Sequence, residues 1–256
     1  DVTFAVGFNI VDQVNEAALN NPDYNFVTID GWKNDEATPN LKAMQWDTTQ
    51  SSFLAGYLSA AYSTTKTIST YGGMNIPAVT DFMVGYYHGA KYYEEETGTE
   101  VTVLGFDPAN PDAGDYVGDF SNTAQAKAIS EGHIEAGADV ILPVAGGLFS
   151  ATSEAINESG KDVVMLGVDL DVAANSPQYA DQILTSVEKT INVSVFDVIS
   201  QSIDGGFSGD AYVGTLESDG TRISPLYDFE DKVDASIMEA LEEIEQKIIA
   251  GEIETK

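Results

Sequence analysis

Two aspartates and a lysine stand where strand-like segments stop. Asp169 and Asp171 close the apolar run "VVMLGVDLD", and Lys189 closes "QILTSVEK". Carboxylates bring acceptor oxygens and an ammonium brings three donors, so these groups at strand ends suit the capture of a polar ligand. Aspartate also forms turns at strand ends as a matter of course, and that reading stands beside the first. Lys189 opens what reads as a helix, where the macrodipole mildly disfavours a cation, and this misfit favours a functional role. Gly146 and Gly147 in "AGGLFS" either let a backbone approach a ligand or supply positive φ in a strand-to-helix turn. Phe120, set between Asp119 and Asn122 in "GDFSN", is either a platform for a heterocycle or a core residue. Phe149 either faces the ligand or packs under its loop. Nearer the start, Phe8 and Asn9 follow "VTFAVG", Asp30 and Trp32 follow "NFVTI", and Asp47 and Gln50 lead into "SSFLAG". Of these, Asp47 is a candidate acceptor, and Trp32 reads as an exposed loop aromatic.

The elements that must position these residues alternate. Apolar runs rich in Val, Ile and Leu ("VTFAVGF", "NFVTIDG", "TISTYGG", "VTVLGF", "DVILPVAGG", "VVMLGVD", "QILTSVEK") are separated by amphipathic stretches such as "IVDQVNEAALNN" and "NTAQAKAISEGHIEAG". Continuous apolar strands are buried on both faces, and with helices between them they predict a doubly wound, mainly parallel α/β sheet. In such sheets the carboxyl ends of the strands expose backbone N–H groups and helix N-termini, and ligands gather there. Toward the end, "DAYVGTLESDGTRISPLYDF" predicts two short strands about a Ser-Asp-Gly turn, and "DASIMEALEEIEQKIIAGEI" an amphipathic helix capped by Asp234 and stopped at Gly251.

Composition removes several classes of function. With 42 Asp plus Glu against 11 Lys plus Arg, the net charge of −31 repels nucleic acid and anionic lipid. The absence of cysteine excludes disulfides and thiolate chemistry. His88 and His133, the only histidines, lie within helical stretches and read as solvated positions, not as parts of a triad or a zinc pair. There is no GxxxxGK[ST] loop and no GxGxxG after a strand, so phosphate cradles for nucleotide hydrolysis or dinucleotide redox chemistry are missing. No cofactor or metal is expected. The carboxylates permit a glycosidase-like acid–base pair on paper, which keeps a nucleoside hydrolase as the alternative in another class.

The segments "SSFLAGYLSA", "YGGMNIPAVTDFMVGYYHGA", "GDFSNTAQAKAIS", "EAGADVILPVAGG", "LGVDLD", "LTSVEK" and "DFEDKVDASIMEALEEIEQKIIAGEI" occur in an order that resembles the basic membrane protein, or purine nucleoside receptor, family of substrate-binding proteins serving ABC transporters. The resemblance implies a two-lobed periplasmic-binding-protein-like fold. It places residues 1–66 plus 190–256 in a first lobe and 67–189 in a second. Members usually carry a signal peptide, a lipid-attachment cysteine and a first strand with its loop ahead of the point where this sequence opens, so about 60 residues, at ~30 per strand–helix unit, are expected to be missing from the first lobe. The signal peptide or anchor is expected to have been removed or to lie outside this sequence.

The family resemblance also implies a function. A purine nucleoside (guanosine, inosine or adenosine) is held between the lobes and delivered to an ABC transporter permease, by a monomeric lipoprotein at the extracellular face of the membrane or in the periplasm. Asp169 would accept the ribose diol and Lys189 would donate to ribose oxygens, with Phe120, Gly146, Gly147, Asp171, Phe149, Asp47 and Phe8 as further ligand contacts. The family often has threonine and glycine where Leu148 and Phe149 stand here. A receptor for a sugar or a small signalling molecule is the alternative within the binding class, because one fold hosts many ligands.

Overall fold

The computed structural model describes residues 1–256. In chain order the elements are β1 (Val2–Val6), α1 (Val11–Asn20), β2 (Asn25–Ile29), β3 (Leu41–Trp46), α2 (Thr48–Tyr62), β4 (Thr67–Gly72), α3 (Pro77–Thr97), β5 (Thr102–Leu104), α4 (Thr123–Glu135), β6 (Val140–Val144), α5 (Phe149–Ser159), β7 (Val164–Asp169), α6 (Val172–Asn175), β8 (Ile183–Lys189), α7 (Ile191–Ile203), β9 (Tyr212–Gly214), β10 (Thr221–Ile223) and α8 (Ala235–Ile249). They form two compact units, residues 1–47 with 189–221 and residues 48–188 with 222–256.

The smaller unit holds a four-stranded sheet in the order β1-β2-β3-β9, with every pairing parallel. Val27, Ile29, Met44 and Trp46 form the centre of one cluster with Val198 of α7. The strand β3 is absent from the sequence reading, because Lys42 and Gln45 interrupt its apolar run. Lys42 is nonetheless buried, its stem lying along the sheet while Nζ donates to the carbonyl of Asp210 at 2.6 Å. That burial lowers the lysine's pKa.

The larger unit is built on a six-stranded sheet, β10-β8-β7-β6-β4-β5, in which β5, β4, β6, β7 and β8 pair in parallel. The chain steps from β4 outward to β5 and then back past β4 to β6. Right-handed connections therefore put α3 and α4 on opposite faces, and the sheet has its topological switch point between β4 and β6. The strands β6, β7 and β8 are buried almost throughout, which is why they read as unbroken apolar runs.

The units do not coincide with the lobes expected from sequence. Residues 48–66 and 222–256, assigned by that reading to the first lobe, group with the larger unit. The physical reason is the packing of α2 against α3, in which glycines bring two backbones into contact. A Cβ at Gly56 would lie 2.0 Å from the Tyr86 carbonyl oxygen, one at Gly85 2.2 Å from that of Thr49, and one at Gly89 1.9 Å from that of Phe53. Helix α2 is buried on nearly all sides, and α8 also packs on it. Helix α8 begins as expected, with Asp234 accepting from the Ser236 amide at 2.8 Å, and Gly251 ends it at φ +73°.

Candidate functional site

In the larger unit the carboxyl ends of three neighbouring strands, β4, β6 and β7, form one rim. After β4 the chain continues through Gly73, whose face is covered by the Phe120 ring. A Cβ at Gly73 would fall 2.4 Å from Phe120 Cε1, so only glycine admits the ring there. The same ring edge lies 3.9 Å from where a Cβ of Gly146, just beyond β6, would stand. Phe120 and Gly146, chosen separately from sequence, are thus brought together at the switch point of the sheet. Gly146 has φ +55°, so the turn itself calls for glycine, whereas Gly147 is exposed with open space around it.

The loop carrying Phe120 is ordered by its neighbours. Asp119 accepts the amides of Ser121 and Asn122, each at 2.7 Å, and the Ser121 hydroxyl at 3.1 Å, which holds its pKa below the ordinary carboxylate value. Asn122 then caps α4 by accepting from the Gln125 amide at 3.1 Å.

Asp169 ends β7, the strand next to β6, in the left-handed region at φ +68° and half-buried. Such a conformation costs a non-glycine residue of order 1 kcal/mol or more and is tolerated best by Asp and Asn. Asp171, two residues on, has both oxygens engaged: one accepts the Ala174 amide at 3.1 Å as the N-cap of α6, the other accepts the Tyr227 hydroxyl. That bond is the main reason the Tyr227 hydroxyl has a raised pKa. Asp171 is the anchor of its loop. Phe149 packs edge-on against Tyr179, with centroids 5.3 Å apart at 88°, and lies on the core of the larger unit, so the packing alternative describes it.

Lys189, at the end of β8, belongs to the smaller unit and is almost fully buried there. Its Nζ donates to both oxygens of Asp30, at 3.0 Å each. The side chains are 5% and 25% exposed, so this pair is shielded from bulk water. Asp30 follows β2 in the left-handed region at φ +55°. Sequence placed Asp30 at a strand end but gave it no task. The two residues are 159 positions apart, and no local pattern reveals such a pairing. Of the other early candidates, Phe8 opens a short 3-10 turn and is half-buried. Asp47 donates its amide to the Gly214 carbonyl at 2.8 Å, tying the end of β3 to β9. Trp32 is 48% exposed, as expected of a loop aromatic.

His133 departs from expectation. It is buried, with Nε2 2.9 Å from Asp115 Oδ2, and not solvated. His88 is half-buried, and burial lowers its pKa. No group of three or more His, Asp or Glu side chains is arranged to hold a metal ion. No helix is long and apolar enough to cross a membrane.

A doubly wound parallel sheet with its loops gathered at the switch point is the architecture of periplasmic-binding-protein-like folds. The solved structure of an ABC transporter solute-binding protein from Aeropyrum pernix K1 superposes on 99% of this chain and 76% of its own, with a TM-score of 0.85 at 22% identity. A second, from Conexibacter woesei, gives 0.71 at 17% identity over 98% and 78%. The sequence model for the Bmp family, ABC transporter substrate-binding proteins of the PnrA-like kind, matches residues 1–256, and the chain belongs to that family. Among its relatives, a protein named ABC transporter nucleoside-binding protein BmpA, from Lactococcus lactis subsp. cremoris, is 27% identical over 263 residues, which is 98% of this chain and 69% of that protein. Basic membrane protein A of Borreliella burgdorferi is 28% identical over 192 residues, 75% of this chain and 52% of its own length.

Proposed function

We propose that this substrate-binding protein captures a purine nucleoside and delivers it, unchanged, to the permease of an ABC transporter. The observation that carries this reading is the rim of the larger unit. An aromatic ring closes on Gly73 at the switch point, beside the positive-φ Gly146, with a half-buried aspartate ending the next strand. The ring is a stacking surface for a base. Asp169 accepts two adjacent ribose hydroxyls through charge-assisted bonds, the recognition that a vicinal diol invites. The nucleoside-binding name of the Lactococcus lactis relative supports the same ligand class. The site of action is the extracellular face of the membrane or the periplasm, in keeping with a transporter's receptor and with the lipoprotein name borne by a Pyrococcus horikoshii relative. Isothermal titration with guanosine, inosine and adenosine tests the reading against ribose and the bare bases. A 1:1 heat with a nucleoside, and none with ribose, supports it; release of free base during the titration would make the protein a hydrolase instead.

A further inference from the structure

The segment that delivers Phe120 is a short piece of extra sheet edge. Past β5 the chain turns at Gly105, φ +82°, and by Asp115 it has returned to β4. There the Gly72 amide donates to the Asp115 carbonyl at 2.9 Å, the Val117 amide to that of Gly72 at 2.9 Å, and the Gly118 amide to that of Gly73 at 2.8 Å. The Asp115 amide in turn donates to Gly105 at 2.8 Å. Two residues beyond Gly118 stands Phe120.

The Asp115 side chain reaches from this edge to the helix layer, where it meets His133 in the last turn of α4. The imidazole is confined. Gly105 abuts it so closely that a Cβ there would lie 2.8 Å from His133 Cε1, and Tyr71 packs edge-on at 6.4 Å between centroids. Tyr71 is itself fixed through its hydroxyl, 2.8 Å from that of Thr152, which also accepts from Ser130 at 3.1 Å. His133 Nδ1 is buried and has no hydrogen-bond partner. The tautomer that leaves no buried N–H unpaired therefore carries its proton on Nε2 and donates it to Asp115. A rigid donor thus aims at the one carboxylate that starts the 115–118 ladder.

We propose that His133 and Asp115 are positioning residues for ligand binding: the pair sets the register of 115–118 on β4 and so places Phe120 on Gly73. This rests on the reading of Phe120 as the base platform. Asp115 is half exposed, so its replacement should disturb the segment without unfolding the unit. Asp115→Ala should weaken guanosine binding by about threefold to tenfold, the range of one ordinary hydrogen bond and so only part of the lost charge-assisted contact, with little change in melting temperature. Asp115→Asn, which keeps an acceptor for Nε2–H, should hold affinity within about twofold of the parent. In a Phe120→Ala background, Asp115→Ala should have no further effect, because the ring it positions is gone.

A ligand-free readout accompanies these. Amide hydrogen exchange at Val117 and Gly118 should quicken in Asp115→Ala while that of Ile134 in α4 stays unchanged. Unchanged exchange at Val117 and Gly118 overturns the proposal whether or not a nucleoside binds, as does an equal loss of affinity with and without the Phe120 ring. Failure of the parent protein to bind any nucleoside, with the exchange result intact, would sink the nucleoside reading and leave the register role standing.

Discussion

In the smaller unit β2 runs into Asp30 at φ +55°, and in the larger unit β7 ends on Asp169 at φ +68°. Residue type, strand-end position and backbone strain are shared; the partners are not. Asp30 gives both oxygens to a buried lysine, while Asp169 stands two residues from an aspartate whose oxygens are taken by a helix cap and a tyrosine hydroxyl. An aspartate after a parallel strand is therefore no evidence of a ligand by itself. Asp30 and Asp171 are anchors, and the rim position of Asp169, one strand from Gly146 and Phe120, is the ground on which it is proposed as the ligand contact.

The largest effect should come from breaking the anchor in the smaller unit. Asp30→Ala leaves the ammonium of Lys189 buried without that counter-charge, and denaturant unfolding should show a loss of about 3 kcal/mol. Lys189→Met should cost less, about 1 kcal/mol, since the carboxylate it abandons is a quarter exposed and can be hydrated.

Asp169→Ala should do the reverse, costing only about 1 kcal/mol of stability, because alanine tolerates φ +68° less well than aspartate, while weakening guanosine about a hundredfold, the cost of two charge-assisted bonds. Asp169→Gly sharpens the contrast. It should bind as poorly as the alanine variant yet unfold at higher denaturant, because glycine adopts φ +68° without strain. Equal guanosine affinity in all three proteins would reduce Asp169 to a turn residue.

The smallest effect belongs to Tyr227→Phe. Removing the exposed hydroxyl that binds Asp171 should change stability by less than about 0.5 kcal/mol and leave guanosine affinity alone, if Asp171 is only a loop anchor.

Much of this was legible in the sequence where one local signal decides the outcome. The unbroken runs of β6, β7 and β8 announce strands buried on both faces, and Asp234 and Gly251 mark the ends of α8 as surely in the chain as in the fold. The strand-end places of Gly146 and Asp169 are legible because each follows an apolar run, and that of Phe120 because it shortly precedes the capped start of α4. What escaped depends on distant partners. Lys42 looks like a break in an apolar segment until Asp210 supplies its acceptor. His133, flanked by Gly132 and Ile134 in a helix with charged neighbours, gives no sign that Asp115 will cover it. Gly56, Gly85 and Gly89 decide which unit α2 joins, yet a glycine in a helix does not say whose carbonyl will press against it.

The most direct test of the account is calorimetric titration of the protein with guanosine, followed by chromatography of the same solution. Saturable 1:1 binding, abolished or weakened about a hundredfold by Asp169→Ala, with guanosine recovered intact, is the result predicted. Absence of binding to guanosine, inosine and adenosine alike, or the appearance of free base, would contradict it.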